Sequence, residues 1–130
     1  MIDNPTPTVV VVDDNTTVHS LFQRSAENID IELKTFGSAD ESMSYLCDNQ
    51  PDLLFLDIIM PDKDGLSFLH ELRNLPLHKS TSVIMISTKD YAQDRTVANE
   101  LGVLEFIIKP MPMQSITDII LKYININNLP

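Results

Sequence analysis

Four short apolar runs in this sequence end in side chains that can do chemistry. Asp13 and Asp14 follow the first run, Asp57 follows the second, and Ser87 and Lys109 follow the third and fourth. If these run ends meet, three carboxylates lie together and repel one another unless a cation lies among them. Oxygen ligands in this number suit a hard divalent ion, and so few protein ligands leave water on the metal, which favours Mg²⁺ over Ca²⁺. The residue types therefore predict a magnesium site.

The same residues suit phosphoryl transfer. A metal ion and the Lys109 ammonium would together neutralise the equatorial oxygens of a phosphoryl group, and the Ser87 hydroxyl would hydrogen-bond one of them. A carboxylate would be the nucleophile, which gives an aspartyl phosphate. A single aspartate after a strand is more often a turn or helix cap. The hypothesis therefore depends on the whole set: four apolar runs end in the residue types that one phosphoryl-transfer reaction requires.

A parallel sheet would bring these residues together. Apolar runs at residues 9–12, 31–36, 52–57, 83–86 and 104–108 alternate with segments of helical periodicity. This alternation is typical of strands joined by crossover helices. In such a sheet all carboxyl ends lie at one edge, where α/β proteins bind ligands. We therefore predict an α/β fold in which the five polar residues are neighbours.

Local signals predict where the helices begin. Asn15 and its two neighbours can cap a first helix, and Ser38 has the capping-box spacing to Glu41 at the start of a second. We predict that Leu46 and Cys47 lie on the apolar stripe of that second helix. Further helices are predicted at residues 65–74, at residues 92–101 and from about residue 112 onward.

Composition limits the classes of function. The 130 residues include 9 Lys+Arg and 19 Asp+Glu, for a formal charge of −10. We expect one domain over residues 1–130. An acidic chain is a poor direct partner for nucleic acid. We find neither an apolar stretch long enough for a membrane span nor a leader sequence, so we expect a soluble, cytoplasmic protein.

Motifs of other function classes fit poorly. The three glycines lie too far apart for a dinucleotide fingerprint or a Walker loop, and the histidines form no His-x-x-x-His pair. The segment Asp62-Lys63-Asp64-Gly65 resembles part of a calcium loop, but it lacks the frame that ends in Glu. It also resembles the Asp-x-Asp of haloacid-dehalogenase phosphatases, but it follows Pro61 instead of a strand. We interpret it as a solvated turn.

Four segments together resemble the receiver domain of response regulators in two-component signalling. They are Val-Val-Val-Val-Asp13-Asp14, Leu-Phe-Leu-Asp57-Ile-Ile-Met60-Pro61-x-x-x-Gly65, Ile-Met-Ile-Ser87 and Phe106-Ile-Ile-Lys109-Pro110. The resemblance covers roughly residues 8–126. It implies a doubly wound, flavodoxin-like (βα)5 fold with strand order 2-1-3-4-5.

The resemblance also implies a function for each residue. Asp57 would accept a phosphoryl group from a histidine kinase, a histidine phosphotransfer protein or a small phosphodonor. Asp13 and Asp14 would bind Mg²⁺ with Asp57 and the backbone carbonyl of Ile59. Lys109 would pair with the phosphoryl group, and the Lys109-Pro110 peptide bond is often cis in this family.

A two-state switch is the implied output. Ser87 would follow the phosphoryl group inward, and Phe106 would occupy the position of the rotameric aromatic residue. The face of the fourth helix, fifth strand and fifth helix, roughly residues 91–123, would then bind an effector or an output domain, or form a dimer.

Some positions depart from the commonest family pattern. Phe106 lacks the hydroxyl of the more frequent tyrosine, and Thr88 is bulkier than the usual alanine or glycine. Ile59 and Lys89 lie at positions that tune hydrolysis in receivers. Because Ile59 cannot orient an attacking water, we predict a long-lived phosphoryl state.

Three alternatives stay open at this point. The chain is either a stand-alone receiver of the chemotaxis-regulator kind or the receiver part of a longer regulator. A metal-dependent phosphatase with Asp57 as nucleophile is the competing enzyme class, although no separate general acid is evident. A degenerate receiver is disfavoured because all five chemical positions are present.

Overall fold

The computed structural model describes residues 6–127, with side chains to residue 124, so the predictions for residues 1–5 and 128–130 lie outside it. Strands and helices alternate along this part of the chain. They are β1 (Thr8–Val12), α1 (Thr16–Ser25), β2 (Glu32–Phe36), α2 (Ala39–Leu46), β3 (Leu53–Asp57), α3 (Gly65–Arg73), β4 (Val83–Ser87), α4 (Ala92–Glu100), β5 (Glu105–Ile108) and α5 (Met113–Asn127), with a 3-10 turn at Pro76–His78. The 3-10 turn was not predicted.

The strands form one parallel sheet in the order β2-β1-β3-β4-β5. The prediction of a doubly wound α/β fold with this order is therefore confirmed. No helix between residues 6 and 127 combines the length and the apolar character that a membrane crossing needs.

The sheet has a hydrophobic core on each face. Alternate residues of β1, β3 and β4 point to opposite sides, and nearly all are completely buried. One core lies under α2, α3 and α4, and the other lies under α1 and α5. In the second core the Phe22 and Phe55 rings meet edge to face, with centroids 4.7 Å apart. Burial on both faces explains why these strands are continuous apolar runs.

The predicted helix ends are largely confirmed. The Asn15 side chain caps α1 by accepting from the Thr17 and Val18 amides, and Ser38 caps α2 by accepting from the Glu41 amide. Gly102 ends α4 with a φ of 77°, a backbone conformation that favours glycine.

The predicted buried stripe of α2 is wrong at Cys47. This residue is the exposed C-cap, and the buried face consists of Ala39, Ser42 and Leu46. Ser42 is tolerated there because its hydroxyl donates to the Ala39 carbonyl at 2.8 Å. The cysteine was misplaced because the helix ends one residue earlier than the apolar pattern.

Candidate functional site

The carboxyl edge of the sheet brings together the polar residues that follow the apolar runs in the sequence. Asp57 and Ser87 are the last residues of β3 and β4, while Asp13 and Lys109 directly follow β1 and β5. In the register of the sheet, Asp57 pairs with Ile86, so these strand ends are adjacent.

Three carboxylates lie close enough to share one cation. One oxygen each from Asp13, Asp14 and Asp57 lies within 4.8 Å of the others. Asp13 and Asp57 are buried, and Asp14 is exposed at the mouth. An all-oxygen donor set with one face open to water suits a hard divalent ion such as Mg²⁺.

Lys109 supplies the only positive charge among the described residues of this pocket. Its Nζ lies 2.6 Å from Asp13 Oδ2 and 3.4 Å from Asp57 Oδ2. Asp13 Oδ2 is fully buried, and no donor in residues 6–127 completes a hydrogen bond of good geometry to it. One ammonium thus faces three carboxylates, which leaves an excess of negative charge where a cation would fit.

Burial and charge both act on Asp57. Burial is the largest cause that raises its pKa and the neighbouring Asp13 carboxylate is the second, and the net result is a rise from 3.8 to about 6. Lys109 and a hydrogen bond from the Ile59 amide oppose this rise without cancelling it. The carboxylate of Asp57 is therefore destabilised until more positive charge arrives.

Local hydrogen bonds fix the position of Asp13. Its Oδ1 accepts from the Asn15 amide at 2.9 Å, and its carbonyl accepts from His19 Nε2 at 2.6 Å. Sequence reasoning missed His19, because a lone histidine in the first turns of a helix gives no signal that it contacts a strand end.

A close backbone approach shapes the loop after Asp57. The Gly65 amide donates to the Ile58 carbonyl at 2.7 Å, and a Cβ at Gly65 would lie 2.0 Å from the Asp57 carbonyl oxygen. Only glycine fits there. In the loop that this contact closes, between Ile58 and Gly65, the Ile59 side chain is 53% exposed.

Ser87 and Phe106 lie on the neighbouring strands β4 and β5. Ser87 is completely buried, and its Oγ accepts from the Lys89 amide at 3.0 Å. The Phe106 ring is half-buried, and the Arg95 guanidinium covers it 4.7 Å from the centroid. The Lys109-Pro110 peptide bond is cis, as the resemblance implied.

The mouth of the pocket combines polar and apolar side chains. Its lining residues are Asp14, Asn15, Thr16, Asp57, Ile59, Thr88 and Lys109. Thr88, the residue that is bulkier than the usual alanine or glycine, is exposed at this mouth.

Known proteins share this sequence pattern and fold. The sequence model of the response regulator receiver domain family matches residues 9–121. RpfG, a cyclic di-GMP phosphodiesterase response regulator of Xanthomonas campestris pv. campestris, is 36% identical over 105 residues, which are 79% of this chain and 28% of RpfG. This chain therefore spans little more than a quarter of that relative.

Two further proteins match along most of their own length. Protein PilG of Pseudomonas aeruginosa is 27% identical over 108 residues, which are 83% of this chain and 80% of PilG. The crystal structure of the phosphorylated cyanobacterial phytochrome response regulator RcpA superimposes with a TM-score of 0.86 at 27% identity, and the match covers 97% of this chain and 99% of that one. The chain belongs to the response regulator receiver domains, signalling modules of two-component systems in which aspartate phosphorylation is general and an acidic pocket binds Mg²⁺ or Mn²⁺.

Proposed function

We propose that Asp57 is the phosphoryl acceptor of this receiver domain. The observation that carries the proposal is the cluster of Asp13, Asp14 and Asp57 with the Lys109 ammonium beside it. Of the three carboxylates, Asp57 ends the central strand β3 and faces both Lys109 and the open mouth. This position lets one of its oxygens meet a phosphoryl group that arrives from solvent.

The metal ligands in this proposal are Asp13, Asp14, Asp57 and the backbone carbonyl of Ile59. The excess of negative charge supports this assignment, as does the buried Asp13 Oδ2, which has an ion pair with Lys109 but no hydrogen bond of good geometry within residues 6–127. Mg²⁺, when bound, supplies positive charge to the phosphoryl oxygens during transfer. Asp13 is held rigidly by its bonds to Asn15 and His19, so it can orient the ion without rearranging.

The proposed reaction is transfer from a phosphohistidine. An oxygen of the Asp57 carboxylate bonds to phosphorus while the bond from phosphorus to the imidazole nitrogen breaks, and the nitrogen keeps the electron pair. Lys109 moves its ammonium from Asp13 toward the transferred group, and the Ser87 hydroxyl hydrogen-bonds a phosphoryl oxygen. The donor is a histidine kinase or a histidine phosphotransfer protein.

The proposed output is a rearrangement of the loop between β4 and α4. Ser87 holds the Lys89 amide in the structure described, so its motion toward a phosphoryl group would move that loop. Phe106 lies against α4 through Arg95 and would respond. The face of α4, β5 and α5 would then bind an effector or output domain, or a second copy of the chain.

Phosphorylation and dephosphorylation of the chain itself are favoured over turnover of external phosphate esters. Asp14, Asp57 and Lys109 are assigned above to the metal and the phosphoryl group, and the other described residues that line the pocket mouth include no acid to protonate a leaving alcohol. We therefore propose that the chain catalyses only its own phosphorylation and dephosphorylation. A cytoplasmic location and a single receiver domain over residues 1–130 complete the proposal.

Intact-mass spectrometry after incubation with acetyl phosphate and Mg²⁺ tests the assignment. We expect the wild type to gain the mass of one phosphoryl group, and we expect Asp57→Asn to gain none. Asp48→Asn, an exposed aspartate away from the pocket, is the matched control and should gain the group normally. A phosphorylated Asp57→Asn variant would place the acceptor elsewhere.

A further inference from the structure

The segment from Asp62 to Gly65 is more than a solvated turn. Both of its carboxylates are exposed, yet each caps a helix. Asp64 caps its own helix α3, because its Oδ1 accepts from the Leu66 amide at 2.7 Å and the Ser67 amide at 3.2 Å. Asp62 reaches a different helix.

Asp62 caps α2 across the fold. Its Oδ2 accepts from the Asp40 amide at 3.1 Å, and its Oδ1 lies 3.5 Å from the Ala39 amide. These residues are more than 20 positions away in sequence. The segment of residues 58–64 is therefore tied to α2 by a charge-assisted contact that the reaction proposed above does not use.

The start of α2 depends on Asp62 for two of its amides. Ser38 accepts hydrogen bonds from the next two amides: its hydroxyl accepts from the Glu41 amide, and its carbonyl accepts from the Ser42 amide. The first two amides bond to Asp62 instead. A carboxylate is favourable at this end of a helix because the unpaired amides carry partial positive charge.

The loop that contains Ile59 is thereby held on both sides. On one side the Gly65 amide bonds to the Ile58 carbonyl at 2.7 Å, with no room for a Cβ at Gly65. On the other side the Met60 side chain is buried and Asp62 bonds to α2. The buried Met60 side chain and the Asp62 hydrogen bonds thus attach this loop to the fold at two separate points.

We propose that Asp62 is a positioning residue for the metal site. It holds the loop of residues 58–64 against α2, so that the Ile59 carbonyl and the Asp57 carboxylate face one ion together. This inference rests on the proposed function, because it takes the Ile59 carbonyl as a ligand. Asp62 itself contacts neither the ion nor the phosphoryl group.

Mg²⁺ titration by calorimetry on Asp62→Ala and Asp62→Asn tests the proposal. We expect the Mg²⁺ Kd of Asp62→Ala to rise about 3- to 10-fold, less than the loss typical of groups that touch a metal ligand directly. Asp62→Asn keeps an oxygen acceptor and should retain most of the affinity. Asp30→Asn, an exposed aspartate in the turn before β2, removes the same charge and should change the Kd by less than about 2-fold.

Phosphorylation kinetics separate positioning from stability. With acetyl phosphate, Asp62→Ala should need more Mg²⁺ for half-maximal rate, while its rate at saturating Mg²⁺ stays within about 2-fold of wild type. A lost cap alone would lower the melting temperature of Asp62→Ala and leave this Mg²⁺ requirement unchanged.

Each other outcome overturns a defined part of the account. If Asp62→Ala binds Mg²⁺ as tightly as wild type, the positioning proposal is wrong and the proposed function stands. The same holds if Asp30→Asn weakens binding as much as Asp62→Ala, since long-range charge would explain both. A wild type that binds no Mg²⁺ would overturn the proposed function and this inference together.

Discussion

The two ends of the sheet differ in how completely their buried polar groups are hydrogen-bonded. At the amino end, Arg73 donates to the carbonyls of Leu101, His78 and Thr81, each at 2.8 Å. The fully buried His78 has partners at both ring nitrogens, with Nε2 bonded to the Leu46 carbonyl at 2.6 Å and Nδ1 to the Thr81 hydroxyl at 2.8 Å. These bonds join the ends of α2, α3 and α4.

At the carboxyl end the buried polar groups are not all satisfied. Asp13 and Asp57 share the Lys109 ammonium, and an oxygen of Asp14 lies within 4.8 Å of both carboxylates. The buried Asp13 Oδ2 has this ion pair but no hydrogen bond of good geometry within residues 6–127, and burial raises the pKa of Asp57. The difference indicates that the amino end stabilises the fold, while the carboxyl end gives up stability at the proposed site for a cation and a phosphoryl group.

The largest effect is expected from removing the Lys109 ammonium at the carboxyl end. Without Mg²⁺, Lys109→Met leaves Asp13 and Asp57 buried with no positive partner, so the free energy of unfolding should fall by about 3 to 5 kcal/mol. Transfer from acetyl phosphate should slow about 100-fold or more.

Denaturant unfolding with and without Mg²⁺ checks this expectation, and Lys79→Met, at an exposed lysine, is the control. Saturating Mg²⁺ should stabilise Lys109→Met more than wild type, because the ion replaces the missing charge. Equal stabilisation of the two proteins would contradict the shared-cation view of the pocket.

Breaking the amino end should reduce stability without affecting chemistry. Arg73→Met removes three charge-assisted hydrogen bonds and leaves carbonyls unpaired, so we expect a loss of about 2 to 4 kcal/mol in unfolding free energy. Arg24→Met, at an exposed arginine in α1, should lose little. At a temperature where Arg73→Met is folded, its phosphorylation rate should match wild type. A large rate defect there would mean that the two ends are not separate in function.

A smaller effect on stability should follow from replacing the proposed acceptor Asp57 with a neutral residue. In the metal-free protein, Asp57→Asn should be about 1 to 2 kcal/mol more stable than wild type at neutral pH, since no carboxylate has to be buried. The pKa of Asp57 is raised from 3.8 to about 6 in the folded state. Folding therefore favours the protonated form, and the wild type gains stability as pH falls through 6 toward 4.

Thermal unfolding of both proteins across this pH range measures the difference. The advantage of Asp57→Asn should shrink as pH falls and should also shrink when Mg²⁺ is added at neutral pH. An advantage that does not change with pH would show that burial of the Asp57 charge is not its cause.

The smallest effect is expected at the rim of the carboxyl end. Ile59→Asn places an amide where a 53% exposed apolar side chain now lies beside Asp57. The amide can orient a water, so loss of the phosphoryl group should accelerate a few-fold, which is about 1 kcal/mol in the barrier. Phosphate release from the purified phosphoprotein measures it. Leu77→Asn, at an exposed leucine far from the pocket, should be neutral. A wild type that hydrolyses faster than Ile59→Asn would defeat the expectation of a long-lived state.

The two ends also differ in what the sequence could predict. The carboxyl end was predictable because parallel strands place Asp13, Asp57, Ser87 and Lys109 at one edge whatever the details of packing. The hydrogen-bonded network of the amino end was not predicted, because Arg73 bonds to backbone carbonyls, and carbonyls carry no sequence signature.

Contacts between distant segments account for the other omissions. Nothing near Asp62 in the sequence indicates that it caps a helix beginning at residue 39, and His19 gives no sign that it bonds to the Asp13 carbonyl. Cys47 was assigned to the core from periodicity alone, although α2 ends before it. Patterns predict elements and strand ends well, but they do not predict which side chain reaches another element's backbone.

A crystal structure with Mg²⁺ and beryllium trifluoride, a stable mimic of the phosphoryl group, tests the central claim most directly. We expect one ion bound by Asp13, Asp57 and the Ile59 carbonyl, with Asp14 bound directly or through water. The beryllium should be bonded to an Asp57 oxygen, with Ser87 and Lys109 on its fluorides. An empty pocket, or a fluoride adduct on another residue, would contradict the account.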